Sequence, residues 1–190
     1  KLSKIIRVVT VPPLMALFML LVLEWRDPRF FGSLLHFLLS VVFLAFFPLL
    51  AYPLQPLFPS FKDKGREGQR TLAICFAVAG YVGGCASALL FRAPGDVCVV
   101  YLSYLLSGVL VMLANKGLKF RASGHACGVA GPSVLLLYFG QPAGLLGAPL
   151  LALVWVSSLT MKRHTSAQLA GGTAIPIAAL GIIVLLRAFF

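Results

Sequence analysis

The stretch Ser33–Tyr52, SLLHFLLSVVFLAFFPLLAY, decides the fold. Apolar residues run through it without alternation. A membrane-spanning strand alternates apolar and polar residues, so the stretch reads as a helix. It is long enough to cross a bilayer, which takes roughly 17–25 apolar residues. Outward from it, similar runs cover Val8–Leu23, Thr71–Phe91, Val97–Ala114, His125–Phe139, Leu145–Thr160 and Gln168–Leu186, beside Leu34–Tyr52 itself. The expected architecture is an all-α, polytopic integral membrane bundle of six to seven transmembrane helices, folded as a single membrane domain over residues 1–190. The composition agrees. The chain is 60% hydrophobic and 11% charged, with a mean hydropathy of +0.98, whereas soluble domains carry about 25% charged residues.

Local signals refine that outline. Pro12–Pro13 is expected to start or bend the first helix. The N-terminal KLSKIIRVVT has the charge layout of a signal peptide, but the apolar stretch ends LVLEWRDP, without small residues for cleavage, so an uncleaved first span is expected. Pro53–Arg70, with Pro53, Pro56 and Pro59 ahead of FKDKGREGQR, reads as the one long loop. Glycines thicken toward the C-terminal half, and small residues let membrane helices approach closely. Helices five to seven are therefore expected to be the tight part of the bundle.

Charge narrows the function. The net charge of +11 comes from 16 Lys/Arg against 5 Asp/Glu. Such a balance fits nucleic acid, anionic lipid or an anionic substrate. The cations are scattered over short loops between spans, so nucleic acid is not an expected partner. The acids are Glu24, Asp27, Asp63, Glu67 and Asp96. They form no pair of Asp-rich motifs to hold Mg²⁺ against a diphosphate, so any phosphate chemistry is expected to run on side-chain cations, with no metal and no cofactor. Cys75, Cys85, Cys98 and Cys127 form no CxxC and read as small apolar fillers.

With seven spans, loop parity puts 12 of the Lys/Arg on the side of the N-terminus: Lys1, Lys4, Arg7, Lys62, Lys64, Arg66, Arg70, Lys116, Lys119, Arg121, Lys162 and Arg163. The other side holds Arg26, Arg29, Arg92 and Arg187, which makes 4. The bias predicts a cytoplasmic N-terminal side. Two histidine phrases fall on that same side. In Lys116-Gly-Leu-Lys-Phe-Arg121-Ala-Ser123-Gly124-His125, Ser123 and Gly124 precede a helix, where free backbone N–H groups welcome an anion. In Lys162-Arg163-His164-Thr165-Ser166-Ala167-Gln168, His164 and Gln168 are four apart and share a helix face; the amide would set the imidazole tautomer. Bland alternatives stand beside these readings: a plain cap with an interfacial His, a basic membrane anchor, and, for Lys62–Arg70, a solvated loop that orients the protein. His36, in SLLHFLL, reads as structural.

These phrases, Ser-Gly-His at a helix start and a His preceded by basic residues and followed by an AGG helix start, resemble the type 2 phosphatidic acid phosphatase superfamily, in a divergent bacterial membrane branch. The likeness is specific over Lys116–Ile175 and extends back to Lys62, giving a phosphatase-like core over about residues 60–190. It implies an integral membrane enzyme, in bacteria of the inner membrane, that hydrolyses a lipid phosphate or an isoprenoid (di)phosphate through a phosphohistidine, without metal. By the same likeness His164 is the nucleophile, His125 the general acid and Gln168 the orienting residue. The phosphate-binding set is then Lys64, Arg70, Arg121, Ser123, Gly124 and Arg163. The family's Arg six residues before the nucleophile falls here at Ser158. Arg163 or Arg121 is the substitute charge, and the gap leaves open a second reading: a lipid-phosphate binding or transport protein on the same fold, without catalysis. A purely structural membrane subunit is the third.

Overall fold

The structure, a computed structural model, describes residues 9–189, with only the backbone of Phe189. Lys1, Lys4, Arg7 and the expected helix start at Val8 lie outside the described residues. Among the described residues there is no strand, and seven helices build the body: α1 Pro12–Arg26, α2 Leu34–Leu57, α3 Gly65–Leu90, α4 Gly95–Lys116, α5 Gly124–Tyr138, α6 Gly147–Thr160 and α7 Ser166–Phe189. Five stretches of them are long and apolar enough to cross a membrane: Leu34–Leu57, Gly65–Leu90, Gly95–Lys116, Pro142–Thr160 and Ser166–Ala188. The last of these sits in α7, and Pro142–Thr160 joins α6 to the 3₁₀ turn before it.

Prolines shape the helices without ending them. Pro12 and Pro13 open α1 at its first two positions, where a missing N–H costs nothing. Pro48 lies inside α2. There the helix widens into a π turn at Val42–Phe46, and the Phe47 N–H reaches back to Val42 O, which gives the proline ring room against the preceding turn. Pro132 sits inside α5 and Pro176 inside α7. All five of these prolines line one internal cavity.

The expected long loop Pro53–Arg70 is instead largely helical. α2 runs on to Leu57, a short turn covers Pro59–Lys62, and α3 begins at Gly65. Prolines were misleading here because Pro56 and Pro59 stand at the first positions of short turns, which tolerate them. Lengthening α3 matters for function. It turns Arg66, Glu67 and Arg70 from loop residues into neighbours on one helix face.

The main core runs through α1 to α5 and α7, with Met19, Leu20, Phe31, Leu44, Val97, Tyr101 and Leu135 fully enclosed. Glycines permit the close approaches. A Cβ on Gly84 would strike the Tyr101 ring, and one on Gly80 would meet Phe43 O at 2.6 Å. Close packing is therefore not confined to the C-terminal half. The C-terminal approaches place the site: α5 meets α1 through Gly128 against Pro12, and α7 meets the start of α5 through Gly172, whose Cβ would lie 2.4 Å from Ser123 O.

Candidate functional site

A cavity of about 600 Å³ opens between α1, α2, α3, α4, α5 and α7 and the turn after α6. Its mouth carries Arg66, Glu67, Arg70, Asn115, Arg121, Gly124, His125, Lys162, Arg163 and His164. Its floor is small or apolar (Ala73, Ala77, Val78, Gly108, Val111, Gly128, Leu135), with hydroxyls of Tyr81, Ser103 and Tyr104 among them. On α4 the distance from Asn115 to Tyr104 is eleven residues, so the floor lies about 16 Å below the mouth at the α-helical rise. Both imidazoles thus face one space, and that space runs from a basic rim into the apolar interior.

Each histidine is placed by its own local device. His125 is the second residue of α5. Ser123 caps that helix, its Oγ accepting the Ala126 N–H at 3.3 Å, while its own N–H donates to Gln168 O at 3.0 Å. The last bond fastens the start of α5 to the first turn of α7, which holds His164 at its threshold. Gly171 under the Phe120 ring and Gly172 under the Ser123 backbone give the approach its clearance. The "AGG" that follows His164 in sequence is the physical reason why the two phrases meet.

The contacts of His164 tell its two ring nitrogens apart. Gln168 Oε1 lies 3.1 Å from His164 Nδ1 and 3.3 Å from the Thr165 N–H. An amide N–H only donates, so the atom between them is the acceptor oxygen and the ring nitrogen donates to it. In the neutral ring the lone pair is then on Nε2. The Thr165 hydroxyl accepts the Gln168 N–H at 3.3 Å, closing a reciprocal cap at the start of α7.

The cations differ in their partners. Arg70 Nη2 donates to Asn115 Oδ1 and to Ala122 O, both at 3.0 Å. Arg121 pairs with Glu67 at 3.4 Å in an exposed contact, worth at most about 1 kcal/mol. Arg163 is carried by the turn that ends α6: its N–H donates to Ser158 O at 3.0 Å, and Lys162 before it takes the left-handed conformation at φ 49°. That closing turn is usually left to glycine. Burial first, and then the nearby Arg66, push the Arg163 guanidinium below its ordinary pKa. Among the described residues the cavity lining holds five Lys/Arg side chains and a single carboxylate, Glu67.

The structure brings most of the expected site residues together and relocates the rest. His125, His164, Arg70, Arg121, Gly124 and Arg163 line the cavity. Gln168 stands behind His164 rather than in the lining. Lys64 does not line it: its Nζ lies 5.9 Å from the Phe61 ring centre, and Arg66 occupies the rim instead. Lys64 is the residue before the first turn of α3, whereas Arg66 and Arg70 lie within the helix, four residues apart on one face. Ser123 is fully buried and spends its hydroxyl on the Ala126 amide, outside the lining. Ser158 is likewise buried, with an Oγ that meets no partner. Asn115 and Arg66 were not picked out from sequence. A lone amide beside a basic phrase at the end of an apolar helix was the available signal for Asn115.

Comparison with protein-family models, curated proteins and solved structures gave no match to this chain.

Proposed function

We propose that the cavity is the active site of a membrane phosphatase that hydrolyses a lipid phosphate or isoprenoid (di)phosphate, similar to the type 2 phosphatidic acid phosphatases. One observation carries the reading: both imidazoles, five cations and one carboxylate line a single cavity whose deeper wall is small or apolar apart from a few hydroxyls. A phosphate with an alkyl tail has the same division between a multiply charged head and a greasy body. In this reading α1 and α5 complete a bundle of seven spans, the rim faces the cytoplasm, and the tail enters between helices from the bilayer.

Arg70, Arg121, Arg163 and the backbone at Gly124 hold the phosphoryl oxygens, with Arg66 taking the place first expected of Lys64. The Arg fork matches such oxygens in a bidentate manner. His164 Nε2 attacks phosphorus in line, and the P–O bond to the lipid breaks. His125 gives its proton to the departing lipid oxygen. It then takes a proton from water, whose oxygen attacks the phosphohistidine, breaks the P–N bond and releases inorganic phosphate. Fixed cations offset the charge on the transferring oxygens.

The test is phosphate release from a panel of lipid and isoprenoid phosphates by purified protein. His164→Ala should release none, and undiminished turnover would end the assignment. The second reading, lipid-phosphate binding or transport without hydrolysis, draws on Ser158, which is buried where the resembling family carries a rim Arg. Trapping of ³²P on His164 separates the two.

A further inference from the structure

Arg70 is held by two neutral acceptors, the Asn115 side-chain amide and the Ala122 carbonyl. This is an unusual economy. The same Asn115 has its Nδ2 buried with no acceptor, and an unsatisfied buried donor is destabilising. Aspartate is nearly the same shape, has no donor to leave stranded, and would meet the guanidinium as an ion pair, the stronger of the two contacts. As an acid in the last turn of α4 it would oppose the helix dipole, while the ion pair and the loss of the stranded donor act the other way. Stability alone thus favours aspartate. Glu67, three residues before Arg70 on the same helix, acts on Arg70 through space only and accepts a hydrogen bond from Arg121 instead.

We infer that Asn115 is a positioning residue that fixes the Arg70 guanidinium at the cavity rim while leaving its full positive charge for an incoming anion. A carboxylate at 115 would hold Arg70 just as well and cancel it. The amide therefore keeps the rim strongly cationic, which selects ligands with two or more negative charges, a phosphate monoester or a diphosphate, over singly charged phosphodiesters. The inference rests on the anion-site reading above and adds a residue that the sequence phrases do not contain.

The experiment measures orthovanadate affinity and thermal unfolding on the full-length protein in detergent, for wild type, Asn115→Asp and Asn115→Ala. Asn115→Asp should bind vanadate about tenfold or more weakly, from one added negative charge close to the anion, and melt no lower than wild type. Asn115→Ala should melt lower and bind with a smaller loss, because Arg70 keeps its charge and its bond to Ala122. A merely structural role moves affinity and melting together in Asn115→Asp, and that outcome overturns the inference, as does an Asn115→Asp protein that unfolds or binds as tightly as wild type. A wild-type protein that binds no vanadate instead sinks the anion-site reading itself.

Discussion

The two ends of the helix bundle treat their polar groups in opposite ways. At the end carrying His36, that histidine and Arg187 both have partners within the protein. His36 Nδ1 lies 2.9 Å from Phe31 O, Nε2 lies 3.1 Å from Phe91 O, and Arg187 forms a close ion pair with Asp96 at 2.6 Å. The ring lies between the turn before α2 and the end of α3, within hydrogen-bond distance of both. At the other end, five Lys/Arg side chains surround a cavity with one carboxylate, Arg70 rests on neutral oxygens, and Gln168 rather than an acid backs His164. Internal satisfaction is the mark of a group that serves stability, and charge left uncompensated at a cavity rim is the mark of one kept for a ligand. The same residue type, histidine, appears in both settings and means different things in each.

That contrast breaks most decisively at the histidines. His164→Ala should lower phosphate release by at least about 10³-fold, a barrier increase of about 4 kcal/mol or more, with unfolding nearly unchanged. His36→Ala should do the reverse, keeping turnover and losing about 1–2 kcal/mol of stability as its carbonyl partners go unmet. Assaying both variants for release and melting checks the pair, and a His36 variant that loses turnover at intact stability would erase the distinction between the ends. Gly172→Ala comes next. Its Cβ would press on Ser123 O at 2.4 Å, so α7 and the start of α5 must part, at about 1–3 kcal/mol. Vanadate affinity should fall with stability, because the two histidine phrases separate. The smallest effect compares two strained cations. Lys162 and Arg92 both hold left-handed backbone, at φ 49° and 53°, where glycine is relaxed. Lys162→Gly and Arg92→Gly should each stabilise by at most about 1 kcal/mol, the relief of left-handed strain less the extra freedom glycine gives the unfolded chain. Only Lys162→Gly should weaken vanadate binding, since Lys162 lines the cavity. Equal binding losses in the two variants would show that the rim charge is not local.

Much of this could be read in one dimension, for definite reasons. Unbroken apolar runs leave little choice but helix in lipid, so the cores of α2 to α7 fall where hydropathy puts them. Pro12–Pro13 opens α1 because proline suits that position and few others. The histidine phrases stand out because polar groups are scarce in such a chain. The misreadings are as instructive. Lys64 and Arg70 look equivalent in a loop, yet a helix starting at Gly65 carries Arg66 and Arg70 to the cavity and leaves Lys64 over Phe61. Ser123 looks like a ligand-binding hydroxyl, yet the orphan amide of Ala126 claims it first.

Hydropathy period, proline placement and the scarcity of charge are properties of neighbours along the chain, and they settle the helical class, the apolar middle of most helices and the basic phrases. Who pairs with whom is not such a property. That Ser123 lies on Gly172, that Arg70 reaches both Asn115 and Ala122, and that two imidazoles open onto one cavity all depend on contacts between residues some 45 to 55 positions apart. Those contacts form only when the helices have packed, because clearance of a few tenths of an ångström between backbones decides which polar groups come within reach.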